Sequence, residues 1–251
     1  MLSKAKVKYI HSLELKKFRN EYNAFVAEGE KNVSELLPAF ECELLVATKE
    51  WIQEHPGIHA KEVLAAETEE IRKISFLKTP QKVVAILSKK EYKLTSINPE
   101  KNLVLALDGI QDPGNLGTII RLADWFGIEH IICSTDTADA FSPKTVQATM
   151  GALARVQVHY TELESFLSSQ RQKGTPIYGT FLNGDNLYEK DLTPNGIIVM
   201  GNEGNGIRPQ INAIIKDRLF IPNYPKCRKT SESLNVAVAT AVICAEFRRR
   251  I

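Results

Sequence analysis

The feature that most constrains this chain is an alternation that begins at Leu103. Leu103-Val104-Leu105-Ala106-Leu107 is a continuous apolar run that stops at Asp108-Gly109. A strand apolar at every position needs both faces covered, which is the environment of a parallel strand inside an α/β sheet. Helical spacing follows over residues 117–126, then a short apolar run at 131–133 and a helix over 144–153. A strand at 156–159 and a helix at 161–170 come next, with further strands at 176–181, 197–200 and 218–221 and a last helix over 234–249. Strands alternating with helices in this way predict an α/β domain with a mostly parallel sheet.

Upstream, Ser88-Lys89-Lys90-Glu91-Tyr92-Lys93 runs into Asn98-Pro99-Glu100-Lys101-Asn102, which is polar and turn-forming. The chain therefore divides into a first domain at 1–90, a linker at 91–101 and a second domain at 102–251. In the first, 4–20 places Val7, Ile10, Leu13 and Phe18 at helical spacing. Residues 24–27 and 42–47 read as buried strands, 31–37 and 61–66 as short helices, and 83–87 as a closing strand. This is a second, smaller α/β unit.

The formal net charge is only +2, so placement decides its meaning. Lys4, Lys6, Lys8, Lys16, Lys17 and Arg19 stand against Glu14 in the first stretch, and Arg248, Arg249 and Arg250 come near the end. Such an arm neutralises phosphates and steers RNA, although a solvated helix face has the same composition. The four cysteines are scattered, with no CxxC pair and no histidine at ligand spacing. Neither a metal site nor a disulfide framework is expected, and Cys133 and Cys244 should be small buried hydrophobes. With no signal-type segment and no run of about 18 apolar residues, the expected setting is cytoplasmic and away from membranes.

Ligands of such sheets bind beyond the carboxyl ends of the strands, and three unusual segments fall there. Asp112-Pro113-Gly114-Asn115-Leu116-Gly117-Thr118-Ile119-Ile120-Arg121 follows the first strand. Its Pro-Gly turn brings backbone near a ligand, with Arg121 one turn beyond Gly117; a plain strand-to-helix turn would use the same residues. Met200-Gly201-Asn202-Glu203-Gly204-Asn205-Gly206-Ile207 follows another apolar strand. It is neither a Walker A loop nor a dinucleotide GxGxxG, and Glu203 is placed to anchor the loop or to contact substrate. Ile221-Pro222-Asn223-Tyr224 and then Ser231-Glu232-Ser233-Leu234-Asn235-Val236 open the last helix, where such side chains cap free amides and also edge a pocket. Ala237, Ala239, Ala241 and Ala245 then permit close approach of another backbone.

Taken in order, Asn115-x-Gly117-x-x-x-Arg121, Gly201-Asn202-Glu203-Gly204-x-Gly206, and Ile221-Pro222 followed by Ser233-Leu234-Asn235-Val236 resemble the three motifs of the SpoU (TrmH-like) family of RNA ribose 2′-O-methyltransferases. The likeness spans about 103 to the end. Ile10-x-x-Leu13, Arg19 and Phe25-Val26-Ala27-Glu28-Gly29 resemble, more weakly, that family's ribosomal-protein-like substrate-binding domain. The resemblance implies a SPOUT α/β domain whose C-terminal segment forms a deep trefoil knot, against the general rule that chains avoid knots. It also implies a homodimer whose site can borrow a residue across the interface. S-adenosylmethionine would be held by Thr180, Leu182, Gly201, Ile221 and Leu234 and leave as S-adenosylhomocysteine. Asn115, Arg121, Glu203, Ser233 and Asn235 would form the catalytic constellation.

Methyl transfer from a sulfonium needs no metal; it needs the ribose oxygen, methyl carbon and sulfur in line, a positioning problem. Arg121 is assigned to the ribose or an adjacent phosphate, with Asn115, Ser233 and Asn235 fixing the site and Glu203 holding it together. An arginine side chain keeps its proton under ordinary conditions, so the general base stays open. The positive stretch at Lys226, Arg228 and Lys229 is a candidate RNA-backbone contact. The expected substrate is ribosomal RNA, with transfer RNA the alternative. The rival readings are an RNA-binding or ribosome-assembly protein without catalysis, a dinucleotide enzyme, which the missing GxGxxG disfavours, and a base methyltransferase of the same fold.

Overall fold

The computed structural model describes residues 2–225 and 231–250, in two compact units. One comprises the chain through Glu91 together with Asp139–Arg155, and the other holds Tyr92–Ala138 with the chain from Val156 onward.

In the first unit, helices α1 (Lys4–Ser12) and α2 (Lys16–Glu21) precede β1 (Ala24–Glu28), α3 (Glu30–Leu36), β2 (Cys42–Ala47), α4 (Lys49–Glu54), β3 (Glu62–Ala65), α5 (Thr68–Arg72) and β4 (Val83–Ser88). The sheet order is β1-β4-β2-β3, with β4 antiparallel to both neighbours and β3 parallel to β2. Strand side chains alternate between faces. Val26, Leu44, Val46, Val84 and Ile86 join Ile10, Leu13 and Ile71 on one side. Phe25 packs with Phe40 and Phe141, at ring separations of 5.2 and 4.9 Å.

Two local expectations change here. The helix predicted over 4–20 is broken at Leu13–Leu15. Buried Arg19 explains the break: its Nη1 donates to the Leu13 and Glu14 carbonyls at 2.7 and 2.6 Å, while Nε and Nη2 hold Asp139. Segment 61–66, expected as a helix, is the edge strand β3. Lys61 N and Ala66 N donate to the carbonyls of Cys42 and Ala47, both at 2.9 Å, so the open edge of β2 captures a stretch too short to show a period. The helix lies instead at α4, where Thr48 caps Trp51 N at 3.3 Å.

The second unit runs β5 (Leu103–Asp108), α6 (Pro113–Trp125), β6 (His130–Ser134), then β7 (Gln157–Thr161), α8 (Leu163–Gln172), β8 (Ile177–Asn186), β9 (Gly196–Gly201), α9 (Pro209–Asn212), β10 (Asp217–Phe220) and α10 (Val236–Arg249). Its six strands lie in the order β10-β8-β9-β5-β6-β7 and every pairing is parallel. β5 is buried throughout, as its sequence requires. The chain moves outward from β5 through β6 to β7 and then returns on the other side of β5. The switch point therefore lies between β5 and β9, where Asp108 is paired with Gly201.

α6 begins at Pro113 and not near 117, because Asp112 caps Asn115 N at 2.8 Å and proline suits the first helical position. The first motif therefore lies on a helix and not in a loop. The helix predicted over 144–153 ends as α7 (Pro143–Thr149); Met150 and Gly151 have φ of 50° and 90°, and a 3-10 turn follows at Ala152–Ala154. Cys42, Cys133 and Cys244 are free and buried, and burial pushes their thiols up, to about 11 at Cys42. Among the described residues no helix is long and apolar enough to cross a membrane.

Candidate active site

The floor of the site is the end of β5. Asp108 is 1% exposed, and its carboxylate accepts from Arg208 N at 2.8 Å and Arg208 Nε at 2.6 Å. This ties the segment after β9 to the neighbouring strand. The hydrogen bonds and the exposed guanidinium edge offset the cost of burying the carboxylate. Next along, Gly109 N donates to Ser134 Oγ at 2.9 Å, and its carbonyl accepts from Asn202 Nδ2 at 2.7 Å.

Asn202 then shapes the second motif. Its Oδ1 accepts from Gly204 N at 2.9 Å and Asn205 N at 3.0 Å, and its backbone exchanges hydrogen bonds with Gly206 at 3.0 and 2.9 Å. The fold is so tight that a Cβ on Gly201 would stand 2.5 Å from Ile207 N. Sequence reasoning named Gly201 and Glu203 but gave Asn202 no role. The available signal was an asparagine among glycines, the composition of a side-chain-to-backbone turn.

One chain of side-chain amides joins the three motifs. Asn235 caps α10, its Oδ1 accepting from Ala237 N at 3.0 Å and Val238 N at 3.3 Å. That leaves Nδ2 to donate, and it reaches Asn115 Oδ1 at 3.0 Å. Asn115 Nδ2 is thereby aimed outward and donates to Glu203 Oε1 at 2.8 Å. The direction of every bond follows from the cap, and its far end must be an acceptor, which a carboxylate supplies.

The structure brings Asn115, Glu203 and Asn235 together, with Gly201 two residues from Glu203. Arg121 is not in that chain: it is exposed on α6, on the same face as Thr118 and Trp125, with about a third of a helical turn separating it from Asn115. Ser233 is exposed ahead of α10. Four of the expected cofactor residues lie on or just after three adjacent strands, and Leu234 lies ahead of α10. Thr180 and Leu182 lie where β8 shifts register against β10, Gly201 ends β9, and Ile221 follows β10. Leu182 and Leu234 are 69% and 49% exposed, and Ile221 is half-buried. Lys226, Arg228 and Lys229 lie outside the described residues. Among the described residues no group of His, Cys, Asp and Glu is arranged to hold a metal ion.

Comparison with known proteins gives the family. Residues 102–245 match the model of the SpoU rRNA Methylase family, and residues 4–85 match the MRM3-like substrate binding domain. Over 97% of its length the chain is 34% identical to the 23S rRNA (guanosine(2553)-2'-O)-methyltransferase RlmP of Bacillus subtilis (strain 168), covering 96% of that protein. A structure described as a TrmH-family RNA methyltransferase from Porphyromonas gingivalis is similar with a TM-score of 0.89 at 44% identity, both chains covered in full. The AdoMet-bound rRNA methyltransferase from Sinorhizobium meliloti is similar with a TM-score of 0.84 at 32% identity, covering 100% of this chain and 97% of that one. The family model takes in more than half of the chain and all three motifs of the site, and the chain belongs to the SpoU rRNA methylase family.

Proposed function

We propose that this chain transfers the methyl group of S-adenosylmethionine to a ribose 2′-OH of ribosomal RNA, in the cytoplasm and as a homodimer. The observation that carries the reading is the chain Asn235–Asn115–Glu203, which links three distant motifs at the switch point of a parallel sheet. The relatives named for 2′-O-methylation of guanosine in 23S rRNA make a guanosine of that RNA the proposed target.

The residues present suit the cofactor. Leu182 and Leu234 carry exposed apolar side chains and Ile221 a half-buried one, chemistry suited to an adenosyl group, and Gly201 is packed too tightly to admit a side chain. Thr180 completes the proposed set. The bound cofactor supplies a methyl on a sulfonium; the protein's part is alignment and exclusion of water. Asn115 and Asn235 each keep one N–H uncommitted by the chain and orient the ribose, Ser233 offers a hydroxyl beside them, and Glu203 holds Asn115. Arg121 takes the ribose or adjacent phosphate as a bidentate donor. Its face of α6, next to a Trp125 that is 83% exposed, suits delivery across a dimer interface. The deep trefoil knot of the family's C-terminal segment is part of the same proposal.

Mass spectrometry of ribose-methylated nucleosides, in ribosomal and transfer RNA from cells with and without the protein, tests the reading. One 2′-O-methyl site should vanish from ribosomal RNA, return with wild type, and stay absent with Arg121→Ala, whose cofactor affinity is expected to persist. Unchanged ribosomal RNA, or full rescue by Arg121→Ala, would overturn the activity or the arginine's role respectively.

A further inference from the structure

The irregular stretch of β8 is held by a single arginine. Arg218 and Leu219, consecutive on β10, pair with Gly179 and Asp185, so the ladder skips residues 180–184. Strand backbone that leaves its ladder relies on side chains to fix its path. Here the guanidinium of Arg218 does so, its Cζ lying 3.6 Å from the centroid of the Phe181 ring. Nη1 donates to Asn212 Oδ1 at 2.6 Å, and Nη2 donates to Asn183 Oδ1 at 3.0 Å. The ring beneath is itself seated, packed against the core cluster that contains Ile214 and Ile215. Asn212 is the last residue of α9, so the guanidinium reaches from a helix end to the skipped segment. Where the ladder resumes, Lys190 Nζ joins Asp185 and Asp217 at 2.8 and 3.0 Å, across the two strands.

This arrangement needs a flat fork. Arginine offers a face for stacking and donors along its edge at the same time, whereas a lysine ammonium is a point charge. Within the skipped segment the contacts fall on Phe181 and Asn183, the two neighbours of Leu182. Leu182 itself is 69% exposed. An exposed leucine between two anchored residues is preorganised, because the segment is ordered before a ligand arrives.

We propose that Arg218 is a positioning residue for S-adenosylmethionine: by pinning Phe181 and Asn183 it keeps residues 180–184 in the form that accepts the cofactor. The inference rests on the methyltransferase reading, which makes Thr180 and Leu182 cofactor residues.

Titration calorimetry with S-adenosylmethionine, together with hydrogen–deuterium exchange of the full chain without and with it, tests the proposal. In Arg218→Ala and Arg218→Lys the competent form of the segment should fall to about a tenth, which raises Kd about tenfold. Exchange over residues 180–186 should quicken in both variants while the rest of the sheet keeps wild-type protection, and saturating cofactor should restore it. In methyl-transfer kinetics KM for the cofactor should rise with Kd, and kcat at saturation should hold. Asn212→Ala, which removes only the far partner of the fork, should weaken binding in the same direction. Arg171→Gln breaks a bond to the adjacent Ala213 carbonyl and should leave both readouts at the wild-type level. If Arg218→Ala does not fold, Arg218→Lys decides. Wild-type Kd in Arg218→Lys, unchanged exchange over 180–186, faster exchange throughout the sheet, or wild-type binding by Asn212→Ala would each overturn the proposal. A wild-type chain that does not bind S-adenosylmethionine would overturn the methyltransferase reading, and this proposal with it.

Discussion

Among single residues, the amides at 115 and 235 act through direction more than through strength. The α10 cap fixes which way Asn235 faces, and that orientation passes through Asn115 to Glu203. Asn115→Ala removes the middle member and leaves both ends intact. Steady-state kinetics should show kcat down by about 10²-fold, the cost of an ångström-scale misplacement, with cofactor affinity nearly unchanged. Unaltered kcat would show that the chain does not position the ribose. Another pair predicts pH dependence. His130 Nδ1 and His159 Nε2 meet at 3.2 Å and both rings are buried. Burial, and then the charge of His130, lower His159 to about 4, and burial lowers His130 as well. The unfolded chain, with ordinary histidines near 6.5, binds protons first as pH falls. Stability should therefore be full above about pH 6.5 and decline toward pH 4, with a limiting slope of about 1.4 kcal/mol per unit for one histidine. Urea midpoints across pH 7 to 5 should fall in wild type and flatten in His159→Gln.

At the scale of elements, boundaries are set by side chains that arrive from elsewhere. Arg19 ends α1 early by taking carbonyls that a continuous helix would have used. β3 is a strand because β2 has an open edge, and nothing within four residues announces that. α6 starts early because of a local cap that was readable in Asp112-Pro113. The break after α7 is the least readable, since Met150 carries no turn signal and Gly151 is one glycine in a helical pattern. Gly151 has φ of +90°, and a Cβ there would overlap the Glu35 side chain, 2.8 Å from its Cγ. Gly151→Ala should lower unfolding free energy by about 2 kcal/mol or more, combining left-handed strain with overpacking. Chemical denaturation measures this directly, and a loss under about 0.5 kcal/mol, the range of ordinary surface changes, would mean that the turn relaxes freely.

For the whole molecule, the outward faces of α6 and α10 carry Trp125 and Val238 at 83% and 51% exposure. Exposed apolar groups of this size, on helices that flank the candidate site, fit an isologous contact between two copies. Trp125→Glu with Val238→Glu should convert a dimer to a monomer in light scattering and abolish methyl transfer, with cofactor binding retained; a wild type that is already monomeric would refute the arrangement. Local sequence determined much at this scale. The uninterrupted apolar run at 103–107 required a strand covered on both faces, the glycine and asparagine clusters marked the segments of the candidate site, and all three motifs were readable in order. These are features of neighbours in the chain, expressed through periodicity and turn chemistry. Tertiary structure alone decided the rest: the strand order that places Asp108 against Gly201, the bonds from Asn115 to Glu203 and Asn235, the anchoring of Arg208 on Asp108, and the grouping of Asp139–Arg155 with the first unit. The physical reason is that each of these contacts joins positions about a hundred residues apart. Which distant segments meet depends on how the sheet is wound, and a hydrophobic pattern with a period of two or 3.6 residues does not encode that order.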